Sequence, residues 1–213
     1  TGVVRNALVL GGEFISAFMD WTNRGVAVLF GDGCAAVVLQ ASDNEEGVLV
    51  ERLGCDSDAR GTLVVEGMGT RYANFTRVYG RTDWIFEGQE IFKRAVIGMS
   101  GACADVLAAR TMGPDDVPME RVFLNVHRYG NMSAGTVPVA LVEALEEGRV
   151  RPGSHLLLPA YGAGLTWCAH LVRWGDRIQP LATTDVDLPP CDMTALELVK
   201  SQIAKRASCF VGH

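Results

Sequence analysis

Apolar positions in this chain fall into short continuous runs and two long helical repeats. Ala7 to Leu10 is an apolar run closed by Gly11 and Gly12, the pattern of a buried strand. Val26 to Phe30 and Cys34 to Gln40 flank the turn Gly31-Asp32-Gly33, which predicts a hairpin-like pair deep in a sheet. Val48, Val50 and Leu53 mark another extended stretch. Gly54 to Tyr79, rich in Gly, Asp, Arg and Thr, reads as a surface excursion.

The helical repeats come later. From Gln89 to Arg110, Phe92, Val96, Met99, Cys103 and Val106 recur at three- and four-residue steps, and Gly113-Pro114 is the predicted stop. Val122 to Val126 reads as a strand entering the turn at Gly130-Asn131. Ser133 to Glu147 reads as the second helix, with Ser133 as N-cap, Pro138 tolerated in the early turns and Gly148 as terminator. His155 to Ala160 and Trp167 to Arg173 read as strands joined by the turn Gly162-Ala163-Gly164. Buried strands alternating with long helices define an α/β protein. Gln179 to Pro190 is a Pro- and Asp-bearing linker. Asp192 to Arg206 is a further helix with Leu196, Val199 and Ile203 on one side, and Ser208 to His213 carries no signal.

Composition narrows the classes. The 213 residues allow one or two domains, and the 48% apolar content is enough for a substantial core. A net charge of −6 without any basic run argues against nucleic acid, so an acidic partner would need a local basic patch. No apolar run reaches membrane-spanning length. The six cysteines form no Cys-x-x-Cys pair, which argues against a metal site. Their scatter through apolar segments suits buried, reduced thiols in a cytoplasmic protein, not nucleophiles.

Four segments then stand together: Phe30-Gly31-Asp32-Gly33, Gly88-Gln89-Glu90-Ile91-Phe92-Lys93, Tyr129-Gly130-Asn131-Met132-Ser133-Ala134 and Gly162-Ala163-Gly164-Leu165-Thr166-Trp167. In this order they resemble the C-terminal half of a thiolase-fold condensing enzyme of the β-ketoacyl-acyl carrier protein synthase III family. The resemblance covers most of Ala7 to Trp174. It implies a thiolase-like α/β fold, mainly the α-β-α layered half: residues 1–45 ending an N-terminal half, 46–176 forming the C-terminal half and 177–213 an extension. It also implies about twenty family residues, a strand plus most of a helix by ordinary element lengths, between Val117 and Pro118.

The same resemblance implies a decarboxylative Claisen condensation of an acyl-CoA with malonyl-acyl carrier protein, by a homodimer that starts fatty-acid synthesis without a bound cofactor. Asn131 would donate its amide to the malonyl thioester oxygen, and the Ala163 N–H would serve the oxyanion, framed by Gly162 and Gly164. Arg24 would meet the nucleotide end of coenzyme A. Gly88 and Gln89 would line the pantetheine tunnel, and Phe86 and Phe92 would wall the acyl pocket. Simpler roles stand beside these: a left-handed turn for Asn131, a solvated surface for Arg24, plain core for Phe86 and Phe92. The family's nucleophilic Cys and its His-Gln-Ala-Asn histidine have no match here, and His127, His155, His170 and His213 do not replace the latter. The alternatives are therefore a secondary-metabolic or head-to-head condensing relative, a non-catalytic half, or a generic small-molecule binding module.

Overall fold

The computed structural model describes residues 3–17, 19–65, 84–187 and 189–209. Strand β1 (Asn6–Glu13) pairs antiparallel with β2 (Gly33–Gln40), from Asn6 opposite Gln40 to Glu13 opposite Gly33. Between them lie a 3-10 turn (Ile15–Ala17) and the short helix α1 (Arg24–Ala27). The predicted strand from Val26 to Phe30 is therefore not formed. Asn23 accepts the Gly25 N–H at 3.0 Å and caps a helical turn, and Val26 is buried beside Ile15 and Met19. Only Phe30 keeps strand character, in a parallel bridge to Asn131. The first apolar run does form a strand, but not a buried one: Leu8, Leu10 and Val38 are 61%, 67% and 72% exposed. Two strands alone leave their faces to solvent unless another layer covers them.

The main sheet has the order β3-β7-β6: β3 (Gly47–Cys55), β6 (His155–Gly162) and β7 (Thr166–Arg173), all antiparallel neighbours. Pro159 lies on the edge strand β6, where a missing N–H is tolerated. The short strand β4 (Leu63–Val65), inside the predicted surface excursion, pairs with β5 (Trp84–Phe86) beyond it, and residues 66–79 of that excursion lie outside the described residues. The long helix α2 (Gly88–Ala108) packs on the main sheet through Ala102 and Val106 against Ala169 and Leu171, with Val50, Leu157 and Trp167 alongside.

Trp167 sets the distance of that contact. A Cβ on its cross-strand partner Gly54 would stand 2.3 Å from the indole, and one on Gly98 of α2 would stand 2.8 Å from it. The ring fills a slot that two missing side chains open, and β3, β7 and α2 meet across it.

Helix ends differ from the sequence reading in instructive ways. The chain leaves α2 before Gly113-Pro114: the Met112 N–H donates to the Leu107 carbonyl at 3.0 Å while Thr111 takes a left-handed φ of 57°. After the short helix α3 (Val126–Tyr129), helix α4 (Thr136–Glu146) starts at Thr136, with Ser133–Gly135 a 3-10 turn and Ser133 not its N-cap. Gly148 terminates α4 as read: its N–H donates to Leu145 and that of Arg149 to Ala144, with φ 68° at the glycine. The predicted strand at Val122 to Val126 is absent. The extended Val122 follows a 3-10 turn (Met119–Arg121), and no described strand lies beside it to complete a ladder. Val117 and Pro118 simply link two 3-10 turns. The last helix, α5 (Ala195–Cys209), begins with the Thr194 N–H and hydroxyl both donating to Glu197.

Adding a methyl at Gly98 should cost about 1–3 kcal/mol by displacing the indole, outweighing a helix-propensity gain of about 1 kcal/mol. A Cβ at Gly101 meets nothing within 4 Å, so Gly101→Ala should gain about 0.5–1 kcal/mol. Urea unfolding midpoints are expected to fall for Gly98→Ala and rise for Gly101→Ala.

Candidate functional site

Asn131 is held by its backbone before its side chain is considered. Its N–H donates to the Leu29 carbonyl at 2.8 Å, and its own carbonyl accepts the Gly31 N–H at 3.0 Å. The two segments approach so closely that a Cβ on Gly31 would lie 2.0 Å from the Tyr129 carbonyl oxygen. The Phe30-Gly31-Asp32-Gly33 segment is thus the seat of the asparagine turn. Asp32 in turn accepts the Ser16 N–H at 2.8 Å and the Ser16 hydroxyl, which fixes the loop after β1 to the same seat.

The Asn131 carboxamide has one permitted orientation. Its Oδ1 accepts the Ser133 N–H at 2.7 Å and, at 3.4 Å, the Thr136 hydroxyl, which itself accepts the Met132 N–H. Only an oxygen can face a backbone N–H, so the Nδ2 group points away and keeps both protons for another acceptor. Ser133 adopts a left-handed φ of 51° to make this contact, and the neighbouring Met132 side chain is buried under it.

The approach to this turn is tied to α4 by Glu143. Its carboxylate accepts from the Asn125 amide at 2.9 Å, from the Arg128 guanidinium at 3.2 Å and from the Tyr129 hydroxyl. Asn125 is the one buried polar side chain among the described residues. Donation by Tyr129, and after it by Asn125, holds the Glu143 carboxyl below its ordinary value, while the same bond to Glu143 raises the Tyr129 phenol.

The second cluster surrounds the β6–β7 turn. Gly162 and Thr166 close the ladder, Gly164 has φ 143°, and the Gly164–Leu165 peptide is cis. Leu165 is fully buried, and its N–H and carbonyl exchange hydrogen bonds with the Asp56 backbone at 2.9 and 2.7 Å. Among the described residues nothing engages the Ala163 N–H, at the exposed tip. Asp56 is reached in turn by Arg94 of α2, which also meets Glu90 at 2.6 Å.

The other sequence-derived residues are dispersed. Gly88 opens α2 and, with Gln89, Glu87, Glu90 and Lys93, lines an open groove. Phe86 packs edge-on to Phe30 at 6.0 Å and joins the cluster around Val26, a core position. Phe92 is 71% exposed and Arg24 is exposed on α1, so neither is walled in by the described residues. Asn131 rests on Phe30–Gly31 and the glycine turn on Asp56, two separate supports. Cys103 is half-buried, and burial, with Cys168 nearby, pushes its thiol up, the opposite of activation. His170 lies within β7, its Nε2 buried without a described partner. Glu143, Asp56 and Arg94 were not singled out by sequence; only the Glu90–Arg94 spacing of one helical turn marks any of them.

The mixed α/β arrangement of these sheets and helices is a thiolase-like fold, matching the C-terminal parts of solved condensing enzymes. The 3-oxoacyl-[acyl-carrier-protein] synthase III model matches residues 1–57, and the model of that family's C-terminal region matches residues 106–174. The chain belongs to the β-ketoacyl-[acyl-carrier-protein] synthase III family. It is 43% identical to β-ketoacyl-[acyl-carrier-protein] synthase III 2 of Vibrio cholerae, over 93% of this chain and 61% of that protein. It is 38% identical to β-ketoacyl-[acyl-carrier-protein] synthase III of Roseiflexus sp., over 82% of this chain and 60% of that one. The solved synthase III of Thermus thermophilus superposes with a TM-score of 0.73 at 32% identity, covering 83% of this chain and 61% of its own. The chain thus spans about three-fifths of the length of these relatives. No described helix is long and apolar enough to cross a membrane.

The Glu143 contacts carry a pH signature. With its folded value lowered, Glu143 contributes stability that is present above the ordinary glutamate range and lost as pH falls through the folded value. Tyr129, raised, contributes stability present below the ordinary phenol range and lost as pH rises through its folded value. Glu143→Gln should weaken both dependences and return the Tyr129 titration toward that of a free phenol, followed by carbon NMR of the tyrosine rings. An unchanged Tyr129 titration would disprove the contact.

Proposed function

We propose that this chain supplies the enolate-stabilising asparagine and the oxyanion-stabilising turn of an acyltransferase that condenses an acyl-CoA primer with malonyl-acyl carrier protein. The reaction is a decarboxylative Claisen condensation, and in this reading it initiates fatty-acid synthesis in the cytoplasm. Loss of carbon dioxide from the malonyl thioester leaves an enolate whose oxygen needs a donor. The Asn131 Nδ2 group is a neutral donor already aimed outward. Attack on the acyl thioester then builds a tetrahedral oxyanion, for which the unengaged Ala163 N–H is the donor. Gly162 and Gly164 leave the turn open to the thioester. Gly88 and Gln89 border the pantetheine arm, Arg24 takes the nucleotide, and Phe86 and Phe92 contribute to the acyl wall. A homodimer would cover the apolar β1–β2 face, where Leu8, Leu10 and Val38 are exposed.

The observation that carries this reading is the fixed carboxamide: Oδ1 is committed to the Ser133 N–H at 2.7 Å, so the free end of Asn131 is a donor. A second reading, a non-catalytic half of the fold, is favoured by the lack of a match to the family's His between Phe92 and Asn131 and by the raised Cys103 thiol. The alignment with the Vibrio protein runs over 221 positions while using 93% of this chain. That leaves the relative about twenty residues more inside the matched region, a strand plus most of a helix by ordinary lengths.

Asn131→Asp separates donor from scaffold, because a carboxylate still accepts the Ser133 N–H but donates nothing when ionised. Condensation of acetyl-CoA with malonyl-acyl carrier protein should fall about 100- to 1,000-fold with the melting temperature little changed. Undiminished turnover in this variant would refute the assignment. A purified polypeptide whose intact mass equals that of these 213 residues, without turnover, would establish the non-catalytic half.

A further inference from the structure

The glycine turn is anchored on one side by the β6–β7 ladder, closed at Gly162 opposite Thr166. On the other side its anchor is Asp56, the residue that follows β3, through the two backbone hydrogen bonds to the buried Leu165. Among the described residues, Ala163 and Gly164, the exposed tip, make no hydrogen bond to a helix; the Ala163 carbonyl accepts the Thr166 hydroxyl at 3.2 Å. The ladder and the Thr166 hydroxyl hold one side of the turn that bears the Ala163 N–H, and Asp56 holds the other through Leu165.

Asp56 is located by Arg94. The guanidinium Nη1 donates to the Asp56 carboxylate, and Nε donates to Glu90 at 2.6 Å, one helical turn earlier. A planar guanidinium engaged along two edges has little freedom to rotate. The gap it spans is fixed independently. Gly98 lies one helical turn beyond Arg94, Gly54 lies two residues before Asp56, and both close on the Trp167 indole. Tyr161, opposite Trp167 in β6, has its hydroxyl covered and hydrogen-bonded to no described residue. Its phenol is raised chiefly by burial and so stays neutral beside the ion pair. It adds no charge that competes for either partner.

We propose that Arg94, acting through Asp56, is a positioning residue that sets the oxyanion turn, coupling α2, which carries Gly88 and Gln89 at its start, to the Ala163 N–H. The role in turnover rests on the reading of Ala163 as an oxyanion donor; the anchoring does not. Both are tested in the complete chain by Arg94→Met, which keeps the stem and removes the fork, and by Arg94→Lys, which keeps the charge without the two-edged geometry.

Amide hydrogen exchange is the first readout. In Arg94→Met the Leu165 amide should exchange at least about tenfold faster and the Ala163 amide resonance should move, with the protection of Leu156–Leu158 and Ala169–Leu171 unchanged; Arg94→Lys should be intermediate. Steady-state condensation is the second: kcat should fall in Arg94→Met with the KM for acetyl-CoA unchanged. Leu165 exchange that stays at the wild-type rate, or that rises in step with the strand amides, overturns the clamp whatever happens to turnover. Undiminished condensation by Asn131→Asp instead overturns the catalytic reading, whatever happens at Leu165.

Discussion

The contact on which the rest of the main layer depends is one indole between two glycines. Trp167 belongs to the central strand of the β3-β7-β6 sheet, and its ring occupies space that Cβ atoms on Gly54 and Gly98 would take. A planar, rigid side chain in such a slot fixes a separation that flexible aliphatic packing leaves adjustable. The small core of Ala102, Val106, Ala169 and Leu171 then closes at that separation. Small residues dominate it because helix and sheet lie close. At the same distance Arg94 reaches Asp56, so one packing decision serves both the core and the glycine turn.

The asparagine turn is built on another principle. Little apolar burial holds it; hydrogen-bond direction does. Backbone bonds to Leu29 and Gly31 seat it, the Ser133 N–H orients its carboxamide, and Glu143 gathers the donors of Asn125, Arg128 and Tyr129 from the segment leading in. A carboxamide whose oxygen is committed to a backbone N–H and whose Nδ2 donor stays open suits charge that develops only during a reaction, because it need not reorganise. Such a turn tolerates solvent around it, which agrees with an exposed Asn131 over a buried Met132.

Much of the local order was legible in the sequence. The heptad-like repeat from Phe92 to Val106 located α2, Gly148 located the end of α4, and the apolar runs around Gly162-Ala163-Gly164 located the β6–β7 hairpin. The misreadings share one cause. Val26 to Phe30 and Val122 to Val126 have strand-like composition, yet Asn23 caps a helical turn in the first and no described strand lies beside the second. An apolar run states that a segment prefers burial; it does not state which partner completes its hydrogen bonds. Ser133 misled for a similar reason. Its type suits an N-cap, but its N–H serves Asn131, and the helix starts at Thr136.

By itself the sequence determined the α/β class, the placement of the strongest periodic elements and, through four short segments, membership of the condensing-enzyme family. These are local properties, written in residue type and spacing. Tertiary structure alone decided which end of the Asn131 amide faces outward, that Asp56 supports Leu165 and that Arg94 supports Asp56. Thirty-eight positions separate Arg94 from Asp56 and eighteen separate Asn125 from Glu143. Pairing over such distances depends on how closely the backbones approach, and here missing side chains at Gly31, Gly54 and Gly98 set that approach.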